Sequence, residues 1–476
     1  MIKIPDAAPR FRLLTDEQCD FVHRASLELL RRTGVRLHHP EAVSLLRETD
    51  SVIQDDGLAL LPANLVEWAL KQAPSRITLC RRGTSAPAVR LEGREVHFGT
   101  GSDCANYLDP RTGVHRPFTT REIADCVRLV DALPGIDFCM SMGTPSDVEE
   151  HARFRTQFAL MMTHTAKPIV FVADNRADCE AIHAMAAAAA GGESDLRLNP
   201  TLLSYSQMTT PLVQPGDSLE KLLFTAEKAI PVVHQPAPMM GGTAPVTMAG
   251  TLVLGNAEVL SSIVIHQLKR PGAPFVYGSG QHPMDMRTSI SVYNAPEWLL
   301  ARAAVADMAR HYGLPHFGYA GHTDSIIMDE QAASDATSTI MLAFMTGEHL
   351  AHDVGYMESG LTTSPELIVF SDEVIGMMRS FNDGFSFDPE SLALDLIHQL
   401  GPGGNFMTTD HTYRHFRKLW LPTLFNRDRK NRWLAKGGTT MGRRLKDKTV
   451  AIMESHRPEP LSESVRAEVE YILNSR

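Results

Sequence analysis

The side chains best suited to chemistry gather in two polar loops within 318–360, GYAGHTDSIIMDEQAASDATSTIMLAFMTGEHLAHDVGYMESG. The first loop carries His322, Thr323 and Asp324, and the second carries Asp353, Tyr356 and Glu358. Such groups bind ligands, move protons or hold a cation. Polar residues also follow shorter apolar runs at Asp103 and Tyr107, Thr144, Asp174 and Asn175, Gln207 and Thr209, His234 and Gln235, and Gln281 and His282. The carboxylates in this set are Asp103, Asp174, Asp324, Asp353 and Glu358, and the aromatics are Tyr107, Tyr205, Tyr319, Tyr356 and Phe406. Carboxylates with aromatic faces favour a quaternary ammonium group, through Coulomb attraction and cation–π contacts of about 0.5–2 kcal/mol each. Plainer roles are open to the same residues. Asp324 and Asp174 could cap the helices that follow them, His234 could be a satisfied core histidine, and Glu358 could fix its loop through backbone N–H groups.

Elements must bring these residues together. From Glu95 onward short apolar runs recur at 96–99, 136–142, 168–173, 202–207, 231–234, 274–278, 314–319 and 349–354. Amphipathic helical segments lie between them, which indicates parallel β/α units. Thr119/Glu122, Ser146/Glu149, Asp217/Glu220 and Asn294/Glu297 have capping-box spacing, and Ser364-Pro365 pairs a capping serine with a first-turn proline. Eight such units predict a (β/α)8 TIM barrel over 91–385, whose chemistry sits at the C-terminal strand ends. An open doubly wound sheet is the alternative, but no GxGxxG follows an early strand. Residues 1–90 read as an N-terminal α+β cap, with a helix over 15–33 that turns Phe21, Leu27 and Leu30 inward. Residues 386–476 read as a C-terminal helical extension and arm. Its GPGG at 401–404 suggests a tight turn near the mouth of the barrel or an anion-binding nest.

Composition narrows the class. The chain has 476 residues, 43% hydrophobic and 21% charged, enough for a large core. Net charge is −10 and no long basic run occurs, which argues against nucleic acid. The N-terminal MIKIPDAAPRFRLL lacks a signal-peptide core, and no window approaches about 18 uninterrupted apolar residues, so a cytoplasmic protein with no membrane span is expected. The six cysteines all lie before residue 180 and form no CxxC, and His322 and His349–His352 lack HExxH spacing, so no metal site is expected.

The loops GHTDSIIMDEQAA, YMESGLTTSPELIVFSDEVIGM and GPGGNFMTTDHTYRHFR, with the earlier FGTGSDCANYLDPRTGVHRPFT, resemble the trimethylamine methyltransferase family over about residues 15–470. The resemblance implies a TIM barrel that takes a methyl group from an amine and passes it to the cobalt of a corrinoid protein. Pyrrolysine-containing members act on trimethylamine. This chain has only standard residues, with Ile326 and Ile327 in the loop where a special residue would be sought, and so resembles the branch acting on quaternary amines such as glycine betaine. The corrinoid would arrive on a partner protein rather than be held here, and a homo-oligomer is expected. On this reading Asp324, Glu358 and His322 form the catalytic set. Tyr107, Gln207, Gln281, Tyr319, Asp353, Tyr356 and Phe406 bind substrate, with His322 and Gln281 able to orient a substrate carboxylate. The competing expectations are a barrel hydrolase or lyase pairing Asp324 with Asp353 for acid–base work, and a non-catalytic betaine-binding protein.

Overall fold

The computed structural model describes residues 7–474. Its centre is a curled sheet of seven parallel strands, numbered here in chain order: β1 (His97–Phe98), β2 (Ile169–Phe171), β3 (Leu202–Gln207), β4 (Val232–Gln235), β5 (Phe275–Gly278), β6 (His316–Tyr319) and β7 (Leu350–His352). The spatial order is β1-β7-β6-β5-β4-β3-β2. Single parallel bridges join Gly99 to Phe138 and Cys139 to Ile169, so the segment 138–139 lies between the two edge strands. Seven of the eight expected apolar runs are strands; the run 136–142 contributes only these bridges.

Alternation along each strand sends side chains to opposite faces. Phe138, Met140, Val170, Leu203, Val233, Val276, Phe317 and Leu350 form one fully buried cluster, which also takes Ile77, Leu79, Val89 and Leu91 from the antiparallel pair Ile77–Cys80 and Pro87–Leu91. On the other face lie the covering helices α1 (Thr120–Ala132), α2 (Arg153–His164), α3 (Arg176–Ala190), α4 (Gly216–Lys228), α5 (Met248–Lys269), α6 (Pro296–Tyr312), α7 (Glu330–Thr346) and α8 (Pro365–Asn382). Helix α1 buries Ile123, Val127 and Val130 on one face, as its spacing predicts. Among the described residues α5 alone is long and apolar enough to cross a membrane by length and composition, and 78% of that window is buried in protein.

The helix starts follow sequence only in part. Thr119 with Glu122 forms the capping box of α1, and Ser364 Oγ accepts from Leu367 N at the start of α8. Ser146 instead donates to the Phe118 carbonyl, and α4 and α6 begin after Pro215 and Ala295, not at Asp217 and Asn294. Asn175 rather than Asp174 caps α3, and Asp329 rather than Asp324 caps α7. The N-terminal helix Asp16–Arg32 buries Cys19, Val22, Ser26 and Leu30, leaving Phe21 69% exposed. Ser26 Oγ donates to the Val253 carbonyl of α5 at 3.0 Å, which fixes the face that turns inward. Beyond α8 no residue between Ile375 and Leu424 is buried among the described residues, and Leu392, Leu394, Phe406, Met407, Leu419 and Leu421 are all exposed. The helices Met441–Ser455 and Glu463–Asn474 pack back through Leu445, Met453 and Val469.

Strand β6 depends on a glycine for its closest contact. A Cβ on Gly318 would lie 1.9 Å from Glu348 Oε2, which accepts from Tyr319 N at 3.1 Å. Gly318→Ala therefore forces a buried carboxyl out of its seat. It is expected to lower unfolding free energy by about 1–3 kcal/mol in chemical denaturation, and unchanged stability would show that the strand shifts freely.

Candidate active site

Polar and aromatic side chains converge at the C-terminal ends of the strands around a cavity of about 170 Å³. After β1 come Ser102 and Asp103; Tyr205 and Gln207 end β3; Gly280 and His282 follow β5; Tyr319 ends β6; His352 and Asp353 end and follow β7, and Tyr356 comes shortly after. Tyr293, from the loop before α6, and Trp298, from its first turn, complete the aromatic wall. Tyr293 stacks on Trp298 with centroids 4.9 Å apart, and Trp298 meets Tyr319 edge-on at 5.4 Å.

Asp353 is buried in this wall and Asp103 stands exposed at its rim; both residues hold left-handed backbone, at φ 73° and 75°. Glycine at 101 allows the approach: a Cβ there would lie 2.5 Å from Asp353 Oδ1 and 2.4 Å from the Tyr356 ring. Burial, and then the neighbouring Asp103, push the Asp353 carboxyl well above its ordinary range. Around Asp353 the other titratable groups are His352, the phenols of Tyr205, Tyr293, Tyr319 and Tyr356, the Cys104 thiol and the more distant Arg302. His352 Nδ1–H donates to the Gly318 carbonyl at 2.7 Å, and burial drives its pKa down to about 3. Its Nε2 therefore carries a lone pair, 3.2 Å from Asp353 Oδ1. Such a contact needs one proton between the two atoms, and the raised carboxyl supplies it.

A second tier holds the rings. Arg302 is buried, 4.6 Å from the Trp298 ring centroid and 4.7 Å from that of Tyr319. Its Nη atoms donate to the carbonyls of Ser279 at 2.7 Å and Gln281 at 2.6 Å. Gln235 Nε2 donates to the Tyr319 hydroxyl at 2.6 Å and to the Tyr205 hydroxyl at 3.0 Å. Burial raises Glu348 to about 7.

Of the expected substrate-binding residues, Gln207, Tyr319, Asp353 and Tyr356 line the cavity. Tyr107 does not. It packs in the core against Phe118, with the Arg116 guanidinium over its ring at 4.7 Å. Gln281 is buried but outside the lining, between Gly280 and His282, which belong to it. Phe406 lies in the exposed segment after α8, 42% exposed.

The three residues expected to be catalytic stand outside the lining. Asp324 accepts from the backbone N–H of Tyr293 at 2.9 Å and of Asn294 at 3.1 Å, and from Ser359 Oγ at 2.7 Å, so it clamps the loop that carries Tyr293. His322 Nε2 lies 3.0 Å from the Tyr293 carbonyl and so donates to it; burial lowers its pKa to about 4, and its ring meets Tyr293 and Trp298 edge-on. Glu358 accepts from Thr362 Oγ1 at 2.7 Å, and its own N–H donates to the Ser325 carbonyl, which ties its loop. Asp324 and Asp353 do not face one cavity, so the expected acid–base pair is not assembled. His234 is a core histidine, bonded to Ser206 and Gln214.

Tyr293 and Trp298 escaped the sequence reading because they belong to the start of a helix, not to a strand end. The available signal was the first-turn proline at 296, since long side chains in a first turn lean toward the helix N-terminus. Farther out, Glu390, His411 and His415 gather in the exposed segment, but Arg414 already sits 2.9 Å from Glu390 Oε1 beside His415 at 3.1 Å.

A curled parallel sheet with an aromatic and acidic cavity at its C-terminal edge defines an α/β enzyme whose site lies beyond the strand ends. A family model described as trimethylamine methyltransferase matches residues 2–476, and the chain belongs to that family; it is a methyltransferase. It is 32% identical to trimethylamine methyltransferase MttB of Desulfitobacterium hafniense (strain DSM 10664 / DCB-2), over 96% of this chain and 92% of that protein. It is 28% identical to the glycine betaine methyltransferase of Desulfitobacterium hafniense (strain Y51), over 98% of each. Its fold is similar to that of the Methanosarcina barkeri monomethylamine methyltransferase MtmB, with a TM-score of 0.52 at 12% identity, over 94% of this chain and 88% of that one.

A buried carboxyl that keeps its proton costs stability wherever the unfolded chain would ionise it. Below about pH 4 both states are protonated and the cost vanishes; it grows as pH rises toward the folded-state titration. Asp353→Asn, which tolerates left-handed backbone, is therefore expected to raise the melting temperature at pH 7 and hardly at all at pH 4. Equal shifts at both pH values would contradict a protonated Asp353.

Proposed function

We propose that this enzyme takes a methyl group from a quaternary ammonium nitrogen and delivers it to the Co(I) of a corrinoid carried by a separate partner protein. The observation that carries the reading is the cavity itself. Tyr205, Tyr293, Trp298, Tyr319 and Tyr356 wall a space that also receives Asp103 and Asp353. Each ring face contributes about 0.5–2 kcal/mol to a bound cation. The volume of about 170 Å³ suits a small substrate, below the roughly 300 Å³ of ordinary ligand pockets. Relatives that act on trimethylamine and glycine betaine support a methylated amine as donor.

The chemistry asks little of the protein beyond holding and aligning. The C–N bond breaks with its electron pair left on nitrogen, and the methyl carbon goes to the incoming nucleophile. A quaternary nitrogen is already a cationic leaving group, so the amine departs neutral without being protonated. Asp103 and Asp353 hold the nitrogen end, and the rings exclude water and restrict rotation, so that one N–CH3 bond faces the open side. Alignment of this kind contributes several kcal/mol, up to about 7–11. Asp324 and His322 serve the reaction at one remove by fixing the Tyr293 loop.

The same reading takes the sheet as a closed (β/α)8 barrel, a view supported by the two bridges through 138–139. It takes the exposed apolar residues of 386–421 as a surface for self-association.

The test is methyl transfer to cob(I)alamin, or to a cognate corrinoid protein, from trimethylamine and a panel of quaternary amines, followed by absorbance. Methylated corrinoid is expected with at least one quaternary amine. Tyr356→Leu and Trp298→Leu should each lower kcat/KM by about 10–100-fold. Absence of both transfer and calorimetric binding across the panel would end the proposal.

A further inference from the structure

The geometry points to a methylammonium ion without a carboxylate, of the tetramethylammonium or choline type, as the substrate, and to discrimination against betaines. This inference rests on the amine reading above and narrows it.

The first argument is the charge inventory. Two carboxyls, Asp103 and Asp353, reach the cavity, and none of its lining residues is Lys or Arg. The two lining imidazoles, His282 and His352, are held neutral by burial. The nearest guanidinium, Arg302, is not among the lining residues and stands behind the rings. Both Nη atoms are bonded to backbone carbonyls, and the group lies against the rings of Trp298 and Tyr319. A substrate carboxylate would find no cationic side chain in the lining.

The second argument is distance. In glycine betaine one carbon separates the nitrogen from the carboxylate carbon. In a cavity of about 170 Å³ an ammonium drawn to Asp103 and Asp353 brings that carboxylate close to the same pair. Like charges a few ångströms apart repel by about as much as the opposite charges attract. A simple cation favours the ionised form of Asp353 and so gains both charges, whereas the zwitterion, with no net charge, forfeits that gain. A proton on Asp353 does not rescue it, because His352 Nε2, 3.2 Å away, already accepts that proton. The Ser102 hydroxyl is likewise committed, to Asp103 Oδ2 at 2.7 Å.

Neutral donors remain, among them the Gln207 amide and the tyrosine hydroxyls. They suit the hydroxyl of a choline-type ion better than a full negative charge. Gln207 Nε2 donates to the Tyr205 hydroxyl at 2.5 Å and keeps a second N–H.

The experiment is calorimetric binding of tetramethylammonium, choline, glycine betaine and 3,3-dimethylbutanol, the neutral isostere of choline, to the full-length enzyme. Methyl transfer from the three ions is measured beside it. The ions without a carboxylate should bind about 100-fold or more tighter than glycine betaine, the ratio that a like-charge contact costing several kcal/mol produces. The neutral alcohol should bind more weakly than choline. Asp353→Asn should shrink the choline-to-betaine ratio, a change that a merely destabilised cavity would not give. Glycine betaine binding as tightly as choline, with methyl transfer, would overturn this inference and leave the amine methyltransferase reading standing. Binding by none of the four would overturn both.

Discussion

Two carboxyl groups at one small cavity, Asp353 buried and Asp103 at its rim, set the conditions that the rest of the site must meet. Water is scarce around Asp353, and its negative charge cannot stand beside that of Asp103 without a cation or a proton. A proton answers, shared between Asp353 and His352 Nε2. Left-handed backbone at both aspartates and a glycine at 101 are the local costs of bringing the groups together. Such strain persists because the sheet and its loops over-determine these positions.

The aromatic wall is held from behind rather than by its own contacts. Asp324 binds two consecutive backbone N–H groups at Tyr293 and Asn294, His322 binds the Tyr293 carbonyl, and Arg302 underlies Trp298 and Tyr319. Charged groups therefore occur on both sides of the rings, with different work on each. The inner carboxyls face the cavity, while the outer groups spend their hydrogen bonds on backbone. A cation–π surface needs that rigidity, because its attraction falls away once the ring tilts or withdraws.

The fold supplies the frame at low sequence cost. The similarity to the monomethylamine methyltransferase extends over most of both chains at 12% identity, whereas the family relatives reach 28–32%. Alternating burial along the strands and helices covering the outside can be met by many apolar sequences. The loops after the strands are free to differ, and substrate choice within one architecture resides there.

Much of the frame was legible from sequence alone. The apolar runs at 202–207 and 274–278 are strands within a residue of where their composition marks them, and Ser364-Pro365 opens α8. These features are local: burial on both faces needs a continuous apolar run, and a cap needs one side chain near its own helix. The rim pattern also found Gln207, Tyr319, Asp353 and Tyr356, because a residue at the end of a parallel strand has one edge of the sheet to occupy. Asp324, His322 and Glu358 share that neighbourhood by number but lie outside the cavity lining, since Asp324 and His322 are drawn to the backbone of the Tyr293 loop and Glu358 to the Thr362 hydroxyl. Tyr107 fell to the core for a similar reason, its ring held between Phe118 and Arg116. Tyr293 and Trp298 entered the wall from a helix start that no strand count includes. Sequence by itself determined which segments become strands and helices and which loops meet, because those follow from local periodicity. Only the tertiary structure decided which side chains face the cavity, because that depends on through-space hydrogen bonds and packing between residues far apart in the chain.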